Sequence, residues 1–189
     1  MRAFIAVELD EKIRENCRRV LNRLITSDAD VKWVKPSNMH LTLKFLGEID
    51  EEQAEKIKGF LDEIVLEESV FETGFSGLGF FPNQRRPRVI WLGINKGIEV
   101  LKDLADKIDD KTAIIGIEKE ERAFSPHLTL GRFRSQKNFD ELIKIVEKTR
   151  EFDAGTMQVD GIHLIQSVLQ PTGPVYTKIY TAILKNNPL

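Results

Sequence analysis

HLTLKFLGEI spans residues 40–49 and HLTLGRF spans residues 127–133 of a 189-residue chain that has only three histidines. Two of those histidines are followed by the same three residues, and polar and apolar positions alternate in both copies as in a β-strand with one buried face. On such a strand residues two apart share a side, so His40 with Thr42, and His127 with Thr129, each present an imidazole and a hydroxyl together. Leu41, Leu43, Leu128 and Leu130 point the other way and anchor each strand in a core. A helical pattern follows each copy, EEQAEKIKGFLDEIV after the capping residue Asp50, and a segment from Asn138 or Phe139 to about Lys148. A histidine-bearing strand placed twice before a helix predicts an α+β fold of two similar lobes with antiparallel sheets.

The rest of the chain fits that frame. RAFIAVEL reads as an opening strand, Asp10 as the N-cap of an amphipathic helix through Leu24, and VKWV as a short strand before the turn at Pro36-Ser37-Asn38. From Val70 the pattern is strand and turn, with glycines marking bends or bulges in VFETGFSGLGFFP and a loop at Pro82-Asn83-Gln84. PRVIWLGI is a strand, GIEVLKDLADKIDDK a helix, and the tail from Met157 holds two strand-like runs joined at Pro171, Gly173 and Pro174. With no linker or low-complexity segment between the halves, residues 1–189 are read as one bilobal domain.

A chain that is 41% hydrophobic and 31% charged can bury a sizeable core, and no apolar run approaches the roughly 20 residues that cross a bilayer. MRAFIAVELD lacks the basic-then-apolar layout of a secretory signal, so the expected location is the cytoplasm, without a membrane partner. Cys17 sits among helix-forming residues and is read as a structural thiol. A net charge of −2 argues against broad duplex binding, so any nucleic-acid contact is local.

Two histidines facing each other across a cleft can divide the work of general base and general acid near neutral pH. Two threonine hydroxyls suit the non-bridging oxygens of a phosphate, where charge develops in the transition state. The constellation therefore points to phosphodiester chemistry. A metal is not expected: the motifs lie far apart, no HExxH occurs, and neither histidine has an adjacent carboxylate or cysteine co-ligand. The phosphate loop of nucleotide triphosphatases and the GxSxG elbow are absent too, and no cofactor is expected.

The paired HxTx motifs, with RAFIAVEL, FPNQRRPRVIWLGI, SPHLTLGRF and SVLQPTGPVY around them, resemble the two-histidine phosphoesterase superfamily over nearly the whole chain. The nearest likeness is to its RNA 2',3'-cyclic phosphodiesterase branch, also called 2'-5' RNA ligase. That resemblance implies two antiparallel sheets forming a central cleft that holds both motifs, with helices on the outer faces. It also implies metal-independent hydrolysis of a 2',3'-cyclic phosphate at an RNA end to a 2'-phosphate, with reverse 2'-5' ligation as a secondary activity. By the same carry-over His40 donates a proton to the departing O3', His127 takes one from water, and Thr42 and Thr129 hold the phosphate; the residues alone treat the two histidines as equivalent. The expected partner is an RNA end, transfer RNA fragments among the candidates, and the expected state is a monomer. A noncatalytic RNA-end binding module, or an enzyme acting on small cyclic phosphates or 2'-5' oligonucleotides, is the alternative reading.

Lys44 and Arg132 follow the two motifs and are assigned to the faces of the motif residues, within reach of an anionic substrate. Gln84-Arg85-Arg86-Pro87-Arg88 is a basic loop suited to an RNA backbone or to solvent, and Phe45, Phe124 and Phe133 are aromatic residues suited to base stacking or to the core. His163 lacks the HxT context and is read as an ordinary strand residue.

Overall fold

The computed structural model describes residues 1–171 and 173–186. Strands β1 (Arg2–Glu8), β3 (His40–Glu48), β8 (Gly161–Gln170) and β9 (Gly173–Ile183) form one sheet in the order β3-β1-β8-β9. Strands β2 (Val31–Trp33), β4 (Phe71–Phe81), β5 (Val89–Lys96), β6 (His127–Phe133) and β7 (Asp153–Val159) form the other, in the order β2-β6-β5-β4-β7. All neighbours within each sheet are antiparallel. Helices α1 (Glu11–Ile25), α2 (Glu51–Val65), α3 (Ile98–Ile114) and α4 (Phe139–Lys148) complete the α+β fold, and none is long and apolar enough to cross a membrane.

Local chemistry accounts for the helix starts. Asp10 accepts the Ile13 N–H at 2.7 Å, and the apolar stripe Ile13, Cys17, Val20, Leu21 and Leu24 is buried, which seats α1. Asp50 and Gln53 make a reciprocal capping box at the start of α2, which begins and ends where its sequence pattern does. The helix read from Gly97 to Lys111 runs three residues further, to Ile114. The tail departs more: its first run breaks at Asp160 into β7 and β8, which belong to different sheets.

The two sheets exchange strands. β2 and β4 lie in the first half of the chain yet join the sheet of β6, whereas β8 and β9 return to the sheet of β1. Residues of both sheets and all four helices contribute to one continuous apolar core. Leu41, Leu43, Leu128 and Leu130 lie in that core, each less than one-twentieth exposed, so every motif strand is held from behind by the leucines between its polar residues. β3 and β6 approach one another, bringing the two motifs to the seam between the sheets.

Candidate active site

The two motif strands share more than four letters. Both show the same succession of burial, half-buried His, buried Leu, half-buried Thr, then two consecutive buried residues and an exposed one. The two consecutive inward residues mark a β-bulge. In β3, Ile5 pairs with Lys44 and Ala6 with Thr42, leaving Leu43 without an opposite number. In β6, Ile90 pairs with Gly131 and Trp91 with Thr129, leaving Leu130 unopposed. One extra residue shifts side-chain parity by one.

That bulge corrects the placement of Lys44. A regular strand would put it beside His40 and Thr42, but it turns inward and its side chain is only 1% exposed. Its ammonium bonds Asp109 Oδ1 on α3 and the Glu118 carbonyl. It sits at the floor of the cleft as a tie between β3 and the second half of the chain. Arg132 moves the opposite way: it lies three positions beyond Thr129, so strict alternation would send it to the far face, and the bulge returns it to the cleft. In the position equivalent to Lys44 stands Gly131, because a Cβ there would come within 2.5 Å of Val31 and 2.9 Å of Trp33 on β2.

His40, Thr42, His127 and Thr129 all line one cleft of roughly 600 Å³, with Arg132, Phe45, Phe81, Phe124 and Tyr176. Each histidine is fixed in the same manner. His40 Nδ1 lies 2.9 Å from the Asn38 carbonyl, and His127 Nδ1 lies 2.7 Å from the Ser125 carbonyl, two residues upstream in both cases. A carbonyl only accepts, so each neutral ring carries its proton on Nδ1 and keeps the Nε2 lone pair for chemistry. Aromatic rings hold the imidazole planes: Phe4 stacks on His40 at 4.4 Å and Tyr176 meets it edge-on at 5.2 Å, while Phe81 meets His127 edge-on at 4.9 Å. Neither threonine hydroxyl is bonded to another described residue.

The turn before His40 has its own support. The Arg14 guanidinium donates to the carbonyls of Pro36 at 2.7 Å and Leu9 at 3.0 Å, and Asn38 Nδ2 donates to the Pro174 carbonyl at 2.9 Å. Segments distant in the chain therefore fix the carbonyl that orients one ring. Burial pushes the His40 pKa down to about 4, against the opposing pull of the Asn38 carbonyl, with the nearby Arg14 charge also lowering it. Burial lowers His127 as well, and Arg132 adds to that effect. Without substrate, both rings are predominantly neutral at pH 7.

The other candidates read from the sequence divide by location. Phe45 is 57% exposed and lines the cleft, Phe124 lines it half-buried, and Phe133 packs away from it against Phe80 and Phe139. His163 is buried with Nδ1 3.0 Å from Thr181 Oγ1, an ordinary strand position outside the cleft lining. Cys17 is buried and its thiol is pushed up to about 12 by that burial, which leaves it inert. Phe81, Tyr176 and Arg14 had no local signal in the sequence, because their roles arise from contacts across the fold. Among the described residues no three His, Cys, Asp or Glu side chains converge as a metal ion would require.

The duplication seen in the strands extends over whole halves of the chain. A family model for LigT-like phosphoesterases matches residues 7–91 and again residues 92–176, one HxTx motif in each. The chain belongs to the LigT-like phosphoesterase family. Among its relatives, the RNA 2',3'-cyclic phosphodiesterase of Archaeoglobus fulgidus is 39% identical over 176 residues, covering 93% of this chain and 96% of its own. That of Methanothermobacter thermautotrophicus is 37% identical over 177 residues, covering 94% and 95%. Crystal structures of a Thermus thermophilus protein (TM-score 0.82, 28% identity, all of both chains) and of E. coli LigT complexed with 3'-AMP (TM-score 0.79, 25% identity, 97% of both chains) share the fold. The strand exchange and the paired motifs are thus features of a LigT-like phosphoesterase.

Proposed function

We propose that this chain, acting as one bilobal unit, hydrolyses 2',3'-cyclic phosphate ends of RNA to 2'-phosphates by metal-independent acid and base catalysis at His40 and His127. The observation that carries the reading is the matched pair of imidazoles, each tied through Nδ1 to a backbone carbonyl, lining one cleft with two threonine hydroxyls that have no partner among the described residues. A cyclic phosphate seated between them receives the hydroxyls of Thr42 and Thr129 on its non-bridging oxygens, with Arg132 beside His127 to balance charge. Nε2 of His127 takes a proton from water as the water oxygen bonds to phosphorus. The P–O3' bond breaks, and protonated His40 gives its Nε2 proton to O3', leaving a 3'-hydroxyl and a 2'-phosphate. A 5'-hydroxyl in place of water would give a 2'-5' linkage, the secondary ligase activity.

The acid role places a condition on His40. Its neutral form dominates at pH 7 without substrate, so its proton arrives with the substrate, whose negative phosphate favours the imidazolium. The productive free enzyme has one ring protonated and the other neutral, a state most populated between the two pKa values. One lies near 4 and the other below 6.5, so kcat/KM peaks on the acidic side of 6.5 and falls as pH rises. The kcat profile, which reports the bound state, lies at higher pH. Initial rates between about pH 4 and pH 8 check both statements, and a kcat/KM maximum above pH 7 would contradict them.

Incubation of the EDTA-treated protein with an RNA ending in 2',3'-cyclic phosphate tests the function itself, with the phosphate position read by NMR or selective phosphatase digestion. A 2'-phosphate formed at the untreated rate is the expected result. Strong loss of rate with EDTA, restored by a divalent cation, would replace the two-histidine mechanism by a metal-assisted one. Tight binding without conversion would replace the enzyme by a binding module.

A further inference from the structure

Charge neutralisation is uneven over this molecule. Most helix lysines pair with carboxylates, as in Lys56 with Glu52, Lys107 with Glu68 and Lys144 with Glu141, whereas Lys32, Arg85, Arg86 and Arg132 are among the described cations that make no ion pair. Lys32 and Arg132 lie directly opposite each other in the β2–β6 ladder. Opposed residues share a sheet face, so Lys32 continues the face of Arg132 about 4.8 Å further from the cleft. Like charges in that relation destabilise a sheet. Among the described residues no carboxylate pairs with either of them, and a bound polyanion would relieve the repulsion.

The loop at 82–88 adds to the same side. Both its ends are fastened to the cleft wall, Phe81 against the His127 ring and Val89 opposite Arg132. Asn83 Oδ1 accepts the N–H groups of Arg85 at 3.0 Å and Arg86 at 3.1 Å, which holds the loop tip in a defined turn with both arginine side chains exposed. Elsewhere the cleft lining carries Asp106, Glu120 and Glu121 around Arg122, while Asp109 is paired with Lys44. A polyanion leaving the phosphate site thus finds its run of unpaired cations along β6, β2 and the 82–88 loop.

We propose that Lys32, Arg132, Arg85 and Arg86 form a track for the phosphodiester backbone of the nucleotides preceding the cyclic end, making RNA chains of several nucleotides the preferred substrates over free cyclic mononucleotides. The proposal rests on the cyclic-phosphate reading of the cleft and adds the direction in which the RNA leaves, across β6 and β2 and past the 82–88 loop.

The test compares a 2',3'-cyclic mononucleotide with an oligoribonucleotide of about six nucleotides bearing the same end, within the span of a single-strand site. Wild type, Lys32→Gln and Arg85→Gln/Arg86→Gln are assayed at several salt concentrations. In wild type the oligomer has the lower KM and the steeper salt dependence. Each variant raises the oligomer KM about 3- to 10-fold relative to the mononucleotide KM, with kcat retained, and lowers the salt slope by about 0.7 per cation removed. Equal KM values for the two substrates in wild type would overturn the track, as would variants that raise both KM values alike. Turnover of neither substrate would defeat the cyclic-phosphate reading instead; fluorescence anisotropy with a 3'-hydroxyl oligomer then decides the track alone, weaker salt-dependent binding in the variants supporting it and unchanged binding overturning it.

Discussion

His40→Ala and His127→Ala each lower kcat on a cyclic-phosphate RNA end by about 10² to 10⁴, the ordinary worth of a positioned general acid or base. Each protein stays folded, because neither imidazole anchors the core: the leucines of both motif strands do. Loss of the Phe4 stack costs His40→Ala about 1 kcal/mol, well below what unfolds a domain of this size. The double variant falls little further than the slower single one, since two groups acting in one proton-transfer step do not contribute independently. The pH profiles of the residual activity assign the roles. Without the acid, His40→Ala retains only the rise as His127 becomes neutral and loses the alkaline fall. Without the base, His127→Ala retains only the alkaline fall and loses the acidic rise. Exchanged profiles would exchange the roles, and a folded variant within about threefold of the wild-type rate would remove that histidine from the mechanism.

Asp109→Ala lowers stability by about 3 to 5 kcal/mol, the usual consequence of stranding one member of a buried ion pair. Lys44 is the member left behind, with its side chain only 1% exposed and the Glu118 carbonyl as its remaining acceptor. For a chain of this length about 3 kcal/mol corresponds to a drop of about 6 to 12 °C in Tm, readable by calorimetry. Lys44→Met is milder, since methionine fills the same channel and the Asp109 side chain, 19% exposed, still reaches water. The Lys44→Met/Asp109→Leu pair recovers most of the loss, as apolar replacement of a buried pair commonly does. The pair also bears on activity. Asp109 accepts the Glu120 N–H, so its removal loosens the segment leading into the second motif as well as the contact between β3 and α3. An Asp109→Ala protein within about 0.5 kcal/mol of wild type would show that Lys44 finds water or another partner, and the tie would lose its structural role.

Much of the fold could be read from short-range pattern. The capping residues Asp10 and Asp50 and the apolar stripes behind them set α1 and α2, and the alternation in HLTL set which residues of β3 and β6 face the core. These features depend on neighbours a few positions away, where periodicity carries the information. The tail was less legible. MQVDGIHLIQSVLQ reads as one β-rich run, and its division at Asp160 between two sheets depends on which partner strands stand on either side.

In the site, the boundary between the legible and the illegible falls inside each motif strand. His and Thr obey the strand period, and the structure brings all four to one cleft. Just beyond them the period fails in both copies, sending Lys44 inward and Arg132 outward. A bulge is a property of two strands in register, so alternation within one strand cannot reveal it.

The sequence by itself determined the duplication, the α+β class, the helix starts and the two HxT pairs, since repeated motifs, caps and periodic burial are written in adjacent residues. Only the tertiary structure decided that β2 and β4 cross to the second sheet, that Phe81 and Tyr176 brace the imidazoles, and that Lys44 pairs with Asp109 at the floor of the cleft. Those outcomes depend on contacts between residues far apart in the chain, and a side chain's surroundings exist only once the sheets have closed around it.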